Sequence, residues 1–288
     1  MDDVPRTAED YGPEDLRQVK AGCIEVATRL GDLLDDLVIV GGLVPALLVD
    51  LAQKEDIDET DLLSRHVGTR DLDLGFAIGL VDEGRYTEIS TRLARCGFAP
   101  DQNEEGSPTP QRWRHETVSE LTIDFLISPT GEEEEGGSIK HLEGDLAAII
   151  IPGLELAFED LCEVELSGTR LDGAEATQKI PVCGPGAFVL LKALACDRRG
   201  KDKDKYDLFY MIRNYGEGPP TVAGHFRPFL EAGHPKAEEA REVLKGLFES
   251  PQSIGPVAVS QFVYGELDDA LQADAMVFVD AFLAELEN

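Results

Sequence analysis

At 288 residues the chain is long enough for one large domain or two smaller ones with a proper core, and a 42% hydrophobic content excludes disorder. No apolar run reaches the ~18 residues needed to cross a membrane, and the acidic start MDDVPRTAEDYGPEDL fits neither a secretory signal nor a transit peptide, so the expected location is the cytoplasm. With 57 acidic residues against 26 basic ones the net charge is −31, which repels phosphate backbones at long range.

The first predicted element is an amphipathic helix over residues 14–37, where Leu16, Val19, Ile24, Val26, Leu30 and Leu33 fall near helical spacing. VIVGGLVPALLVDLA then reads as a short apolar strand or helix end, the pair Gly41-Gly42, and another helix. Residues 53–66 are charged and read as a loop, and RDLDLGFAI alternates like a strand. A helix follows at about 82–96, with Gly97 suited to its C-terminal cap. GFAP, QRWRHETV and ELTIDFLIS read as three successive strands, the last two joined by a tight turn, and GEEEEGGSIK as an exposed loop. LELAFEDLCEVELSG and QKIPVCGP supply short strands, or a helix and strands; from Gly186 onward the pattern is nearly all helical. A mixed half followed by a helical half predicts an α+β fold, with an α/β domain over 1–175 and a helical domain over 176–288.

The acids are spread along the chain, with one short run from Glu132 to Glu135. Such dispersal fits a surface hydrated by carboxylates, as in proteins of salt-loving organisms, or a plain solubility charge. The bases are not spread: Lys192, Arg198, Arg199, Lys201, Lys203 and Lys205 crowd one segment and read as a local positive patch that gathers something anionic. The five cysteines are far apart with no CxxC pair, which predicts isolated reduced thiols; Cys23, Cys96 and Cys196 lie in apolar helical stretches and are expected in or near the core.

The residues that suggest chemistry are acids on strands. Asp71 and Asp73 are two apart, so both carboxylates point to one face. Alone, the pair also fits a solvated strand end, and an acidic chain repeats the spacing by chance, as at 202–204. Asp124 is different, because LTIDFLIS surrounds it with apolar neighbours and a buried acid needs a partner. Three carboxylates on one sheet face call for a cation, and magnesium or manganese suits carboxylate oxygens plus substrate phosphates. Two such ions, roughly 3.5–4 Å apart, can clamp the attacking and leaving oxygens of a phosphoryl transfer. Gly41 and Gly42 open a helix before the acid pair, which allows backbone approach to a phosphate; read alone, they are only a turn. Thr69 and Arg70 lead into the pair and can donate to phosphate or orient its first carboxylate.

Together, Gly41-Gly42, T-R-D-L-D-L and the third strand acid resemble the core of the polymerase-β-like nucleotidyltransferases, over roughly residues 35–130. That resemblance implies a nucleotidyltransferase-type mixed sheet, a nucleoside triphosphate held at the glycines, and metal held by Asp71, Asp73 and Asp124. Gly42 stands where that family often has serine, so the triphosphate contact would rest on backbone N–H groups. Lys192 on a helix, the stretch RRGKDK, and Asp204-Lys-Tyr-Asp207 are similar to the later motifs of AbiEii-type toxins. This implies a nucleotide contact by Lys192. Asp204 or Asp207 would be either a general base toward the acceptor or a holder of Lys192 and Arg70; acids in a first helical turn also simply offset the dipole. The implied acceptor is tRNA or a protein hydroxyl, and the implied partner an antitoxin protein.

Two other functions stay open: nucleotidyl transfer to a small, aminoglycoside-like cation, which an acidic protein suits, and a nucleotide-binding module without turnover. Trp113 could stack a base, although a strand tryptophan is more often a packing residue. The five histidines show no HxxxH or HExxH spacing, and neither a GxSxG motif nor a Walker-type loop is present.

Overall fold

In the computed structural model of the chain, residues 6–50, 63, 65–76, 84–131 and 133–287 are described. Most of the expected loop at 53–66, residues 77–78 of the expected strand, the first two residues of the expected helix at 82–96, and Glu132 of the acidic run lie outside them. The elements are α1 (Pro13–Leu30), β1 (Leu37–Val40), α2 (Val44–Leu48), β2 (Asp71–Phe76), α3 (Arg85–Arg95), β3 (Phe98–Gln102), β4 (Pro108–His115), β5 (Thr122–Ile127), β6 (Ile139–His141), β7 (Ala147–Ile150), α4 (Leu156–Glu159), β8 (Leu161–Thr169) and β9 (Glu175–Cys183). Six helices follow: α5 (Pro185–Arg198), α6 (Asp202–Asn214), α7 (Pro219–Glu231), α8 (Pro235–Leu247), α9 (Ile254–Tyr264) and α10 (Asp269–Leu286). The expected α+β class holds. None of the described helices is long and apolar enough to cross a membrane.

The chain divides into two compact units, Pro13–Leu43 with Gly68–Cys183, and Met1–Gly12 with Val44–Val67 and Gly184–Asn288. The division differs from a break at 175/176. β9 runs through that point, paired along its whole length with β8 and touching β1 at Ile39–Val182, so the chain leaves the sheet only at Gly184.

The sheet unit is built on a nine-stranded mixed sheet in the order β3-β4-β5-β2-β1-β9-β8, with β7 joining the C-terminal end of β5 and β6 pairing β7. β1 is four consecutive buried apolar residues and lies inside the sheet between β2 and β9. On β2 and β5 the period of two separates the faces. Leu72, Leu74, Ile123 and Phe125 are buried, and Phe125 packs against Phe76 at 5.5 Å and edge-on to Trp113 at 6.1 Å. Trp113 is thereby a core residue, its indole N–H donating to the Pro110 carbonyl at 3.2 Å. α1 buries Val19, Cys23, Val26 and Leu30, a stripe at helical spacing. It stops at Leu30, short of the expected residue 37, because Gly31 takes a left-handed φ of 55° and the chain tightens into a 3-10 turn over Gly31–Asp36.

The second unit is helical. α6 lies at its centre: all nine residues from Asp204 to Ile212 are buried, and it touches α5, α7, α9 and α10. Pro185 and Pro219 start α5 and α7 at the position where a missing N–H costs nothing. The Asp268 carboxylate caps α10 by accepting from the Leu271 N–H at 2.7 Å. α5 and α7 meet backbone to backbone at Gly186, where a Cβ would stand 2.5 Å from the His225 carbonyl carbon and oxygen. Backbone cannot swing aside as a side-chain tip can. Gly186→Ala is expected to destabilise the helical unit by about 1–3 kcal/mol, a fall of several degrees in Tm. Gly224→Ala, on an exposed site of α7 with nothing within 4 Å, serves as the control and should be neutral or slightly stabilising. Equal melting temperatures for the two variants would contradict this packing.

Candidate active site

Sheet register builds the acidic face. β2 pairs β5 in parallel with Asp71 beside Thr122 and Asp73 beside Asp124. β4 pairs β5 antiparallel with Arg112 beside Asp124. Residues in direct register point to the same face, so Asp73, Asp124 and Arg112 form one row across three strands, with Asp71 two residues earlier on that face.

Each carboxylate has a defined neighbour. The Thr122 hydroxyl donates to Asp71 Oδ1 at 2.8 Å. Asp73 lies against Gly41, which has φ 71° and whose absent Cβ would fall 1.8 Å from Asp73 Oδ2. Gly41 is thus required twice, for its backbone conformation and for the room it leaves a carboxylate. Both oxygens of Asp124 are taken by Arg112, whose Nε donates to Oδ1 at 2.6 Å and whose Nη2 donates to Oδ2. The hydrogen bond to Asp124 holds the guanidinium well above its ordinary value against the cost of burial; the charges of Asp124, Asp71 and Asp73 add to the effect. Arg112 is thus a cation beside the acids that the sequence reading did not include. Among the described residues no group of three or more His, Cys, Asp or Glu side chains stands in an arrangement that could hold a metal ion. The oxygen donors of Asp71, Asp73 and Asp124 are still of the type a hard divalent cation takes, and one guanidinium feels the charge of all three. With Asp124 closed on Arg112, however, the three do not present such an ion with a ready site.

The other expected phosphate contacts have local uses. Thr69 is buried, and its hydroxyl lies 3.4 Å from both the N–H and the carbonyl oxygen of Asp71, bracing the start of β2. Arg70 Nε donates to Asp15 Oδ2 at 3.3 Å. Gly42 is buried in a 3-10 turn over Gly41–Leu43. The helix that follows, α2, is only five apolar buried residues, one of them Pro45, which has no N–H. The helix expected after the glycines is present as α2, but this short apolar turn of helix offers few free N–H groups for a phosphate.

In the helical unit Lys192, Asp204 and Asp207 come together. Lys192 Nζ donates to Asp204 Oδ1 at 2.9 Å and to Asp207 Oδ2 at 2.7 Å. Arg199 Nε donates to Asp204 Oδ2 at 2.8 Å, and Lys203 Nζ to Asp207 Oδ1 at 2.7 Å. His66 Nε2 lies 2.8 Å from the same Asp207 oxygen, with its ring stacked on Tyr206 at 5.5 Å and edge-on to Tyr210 at 5.2 Å. Burial pushes both carboxyls up, but Lys192, with Lys203 at Asp207 and Arg199 at Asp204, outweighs it and holds both below the usual carboxylate range. Asp207 is fully buried with both oxygens engaged, which suits a holder of Lys192 and not a base reaching an acceptor hydroxyl. Lys192, Arg199 and Lys203 spend their charge on Asp204 and Asp207, and Lys205 is buried with its Nζ donating to the Lys201 carbonyl at 3.2 Å. The segment that reads as a solvent-facing positive patch is split: Lys192 and Lys205 are buried and Lys203 partly so, while Arg198, Arg199 and Lys201 are exposed.

Arg112 and His66 have no role in the sequence reading. Arg112 was detectable as an arginine on the polar side of an alternating strand next to a strand with a lone buried acid. His66 had no comparable signal, because its partner is 141 residues away. No model of a known protein family matches the chain, and no curated protein matches it.

Two outcomes follow. Gly41→Ala should displace the Asp73 carboxylate and lower Tm by the equivalent of about 1–3 kcal/mol, whereas Gly131→Ala, with open space around it, should not; equal effects would remove the close approach. Burial, with Lys203 beside it, pushes the His66 imidazole down to about 4 from an ordinary 6.5. Because the folded value is depressed, the unfolded chain takes up the proton first as pH falls. Stability is therefore lost between about 6.5 and 4, by at most about 3 kcal/mol. In His66→Gln, which can still donate to Asp207, Tm should fall less steeply over that window; parallel Tm–pH curves would contradict the assignment.

Proposed function

We propose that the chain is a divalent-metal-dependent nucleotidyltransferase of nucleotidyltransferase-type fold, similar to AbiEii-type toxins, moving a nucleoside monophosphate from a nucleoside triphosphate to tRNA or a protein hydroxyl. The observation that carries this reading is the row in which Asp73 stands beside Asp124, with Asp71 on the same face and Gly41 making room for Asp73. In-register like charges on adjacent strands are unfavourable, and a face built on them has its best use in holding cations.

In this reading Asp71 and Asp73 hold magnesium or manganese, and Asp124 completes the set. The metal supplies charge stabilisation at the phosphoryl oxygens. Thr122 fixes Asp71 through its hydroxyl, so that carboxylate needs no reorganisation on loading. The likeness to AbiEii-type toxins also implies a nucleotide contact by Lys192, whose ammonium here is held by Asp204 and Asp207 within the helical unit. An antitoxin protein is the partner implied by the same likeness. The net charge of −31 favours a second reading in which the acceptor is a small cation of aminoglycoside type.

The test is incubation with each α-labelled nucleoside triphosphate and magnesium, against total tRNA, a cell extract and an aminoglycoside. Label should pass to one class of acceptor and fall by roughly 100-fold or more in Asp71→Asn and Asp73→Asn. Binding of triphosphate and metal without labelled product from any acceptor would make the chain a nucleotide-binding module, and absence of both would overturn the proposal.

A further inference from the structure

We propose that the outer face of α9 is a docking surface for a partner protein, and that the partner presents a basic amphipathic helix to it. α9 buries Val259, Phe262 and Val263 within the helical unit, where it touches α6, α8 and α10. The positions it leaves unburied are Ile254, Val257, Gln261 and Tyr264. They recur at i, i+3, i+7 and i+10, so they form one stripe about 15 Å long. None is charged and three are apolar, with Ile254 69% and Tyr264 46% accessible. Leu267, just beyond the end of the helix, is exposed as well. An outer helical face ordinarily carries charge, as on α8, where Glu238 and Glu242 are exposed and meet Arg241. Single exposed apolar side chains are common. A whole stripe without a charge stands out in a chain of which 29% is charged, and residues 250–265 hold no charged side chain at all.

The surrounding charge says what fits the stripe. Residues 246–288 hold eight carboxylate side chains and no lysine, arginine or histidine. Glu249 stands before the stripe, and Glu266 and Asp269 after it, all exposed. Asp274 and Asp280 are exposed on α10, which packs against α9. An apolar stripe closed by acids matches a helix whose own apolar stripe is flanked by lysine or arginine. A second copy of this chain would bring like charge against like, and an anionic membrane would meet the same repulsion.

The probe is a synthetic helical peptide of leucine and lysine, about 18 residues or five turns long, with its leucines on one stripe and its lysines beside it. Its binding to the full chain is followed by fluorescence anisotropy at about 0.15 M salt. The wild type should bind it, and Ile254→Glu/Tyr264→Glu should bind roughly tenfold more weakly, although added negative charge would strengthen a purely electrostatic attraction. Glu266→Lys/Asp269→Lys should lose affinity several-fold, while Glu133→Lys/Glu135→Lys, the same change of charge in the sheet unit, should stay within about twofold of the wild type. If Ile254→Glu/Tyr264→Glu loses its fold by circular dichroism, Gln261→Glu, in the middle of the stripe, decides by the same comparison. No binding by the wild type, equal or tighter binding by the stripe variant, or equal losses in the two lysine variants would overturn the proposal. Two further measurements address other occupants: sedimentation with vesicles of phosphatidylserine and phosphatidylcholine, and sedimentation equilibrium of the chain alone. Neither should show association that Ile254→Glu/Tyr264→Glu removes; if one does, the stripe serves a membrane or a second copy and the proposal falls.

Discussion

Parallel pairing of β2 with β5 sets Asp73 directly beside Asp124, and much of the sheet unit serves the resulting repulsion. Like charges in register destabilise a sheet, and a buried acid without a partner costs more still. β4 answers by placing Arg112 in the next position of the same row, with two hydrogen bonds to Asp124. On the other side β1 is followed by Gly41, whose missing side chain leaves room for Asp73. Thr122, in register with Asp71, supplies a hydroxyl. The opposite face carries none of this burden: Leu72, Leu74, Ile123, Phe125 and Trp113 are buried and apolar, and their packing fixes the register that the acids require.

The helical unit solves the same problem by another route. Asp204 and Asp207 sit within the most buried stretch of α6, and every oxygen of Asp207 meets a donor. Removal of Lys192 would leave two buried carboxylates short of a partner, the kind of loss that costs about 3–5 kcal/mol. The network is thus a structural feature in its own right, whatever it binds. It also gives a use to part of the run of bases between Lys192 and Lys205: Lys192, Arg199 and Lys203 pair the two buried carboxylates.

Of the three cysteines expected in or near the core, two are buried and Cys96 is half-buried. Cys23 and Cys196 are buried, and burial pushes both thiols up to about 12. Thiols held so far from ionisation pack as small apolar groups and do not act as nucleophiles.

Local pattern alone was enough for much of the fold. Alternation marked β2 and β5, helical spacing marked α1 and the C-terminal helices, and the shared face of Asp71 and Asp73 followed from a period of two. Other features depended on pairing that no local pattern encodes. The short β7, at Ala147–Ile150, exists because the end of β5 needs a neighbour where its pairing with β4 has ended. The end of the sheet unit at Cys183 depends on β9 finding β8 and β1. The sequence by itself determined that three acids would need a cation, because that is a property of their strands and neighbours. Only the tertiary structure decided that Arg112 stands at Asp124, and that Lys192 faces Asp204 and Asp207, because which opposite charges meet depends on strand register and helix packing and not on spacing along the chain.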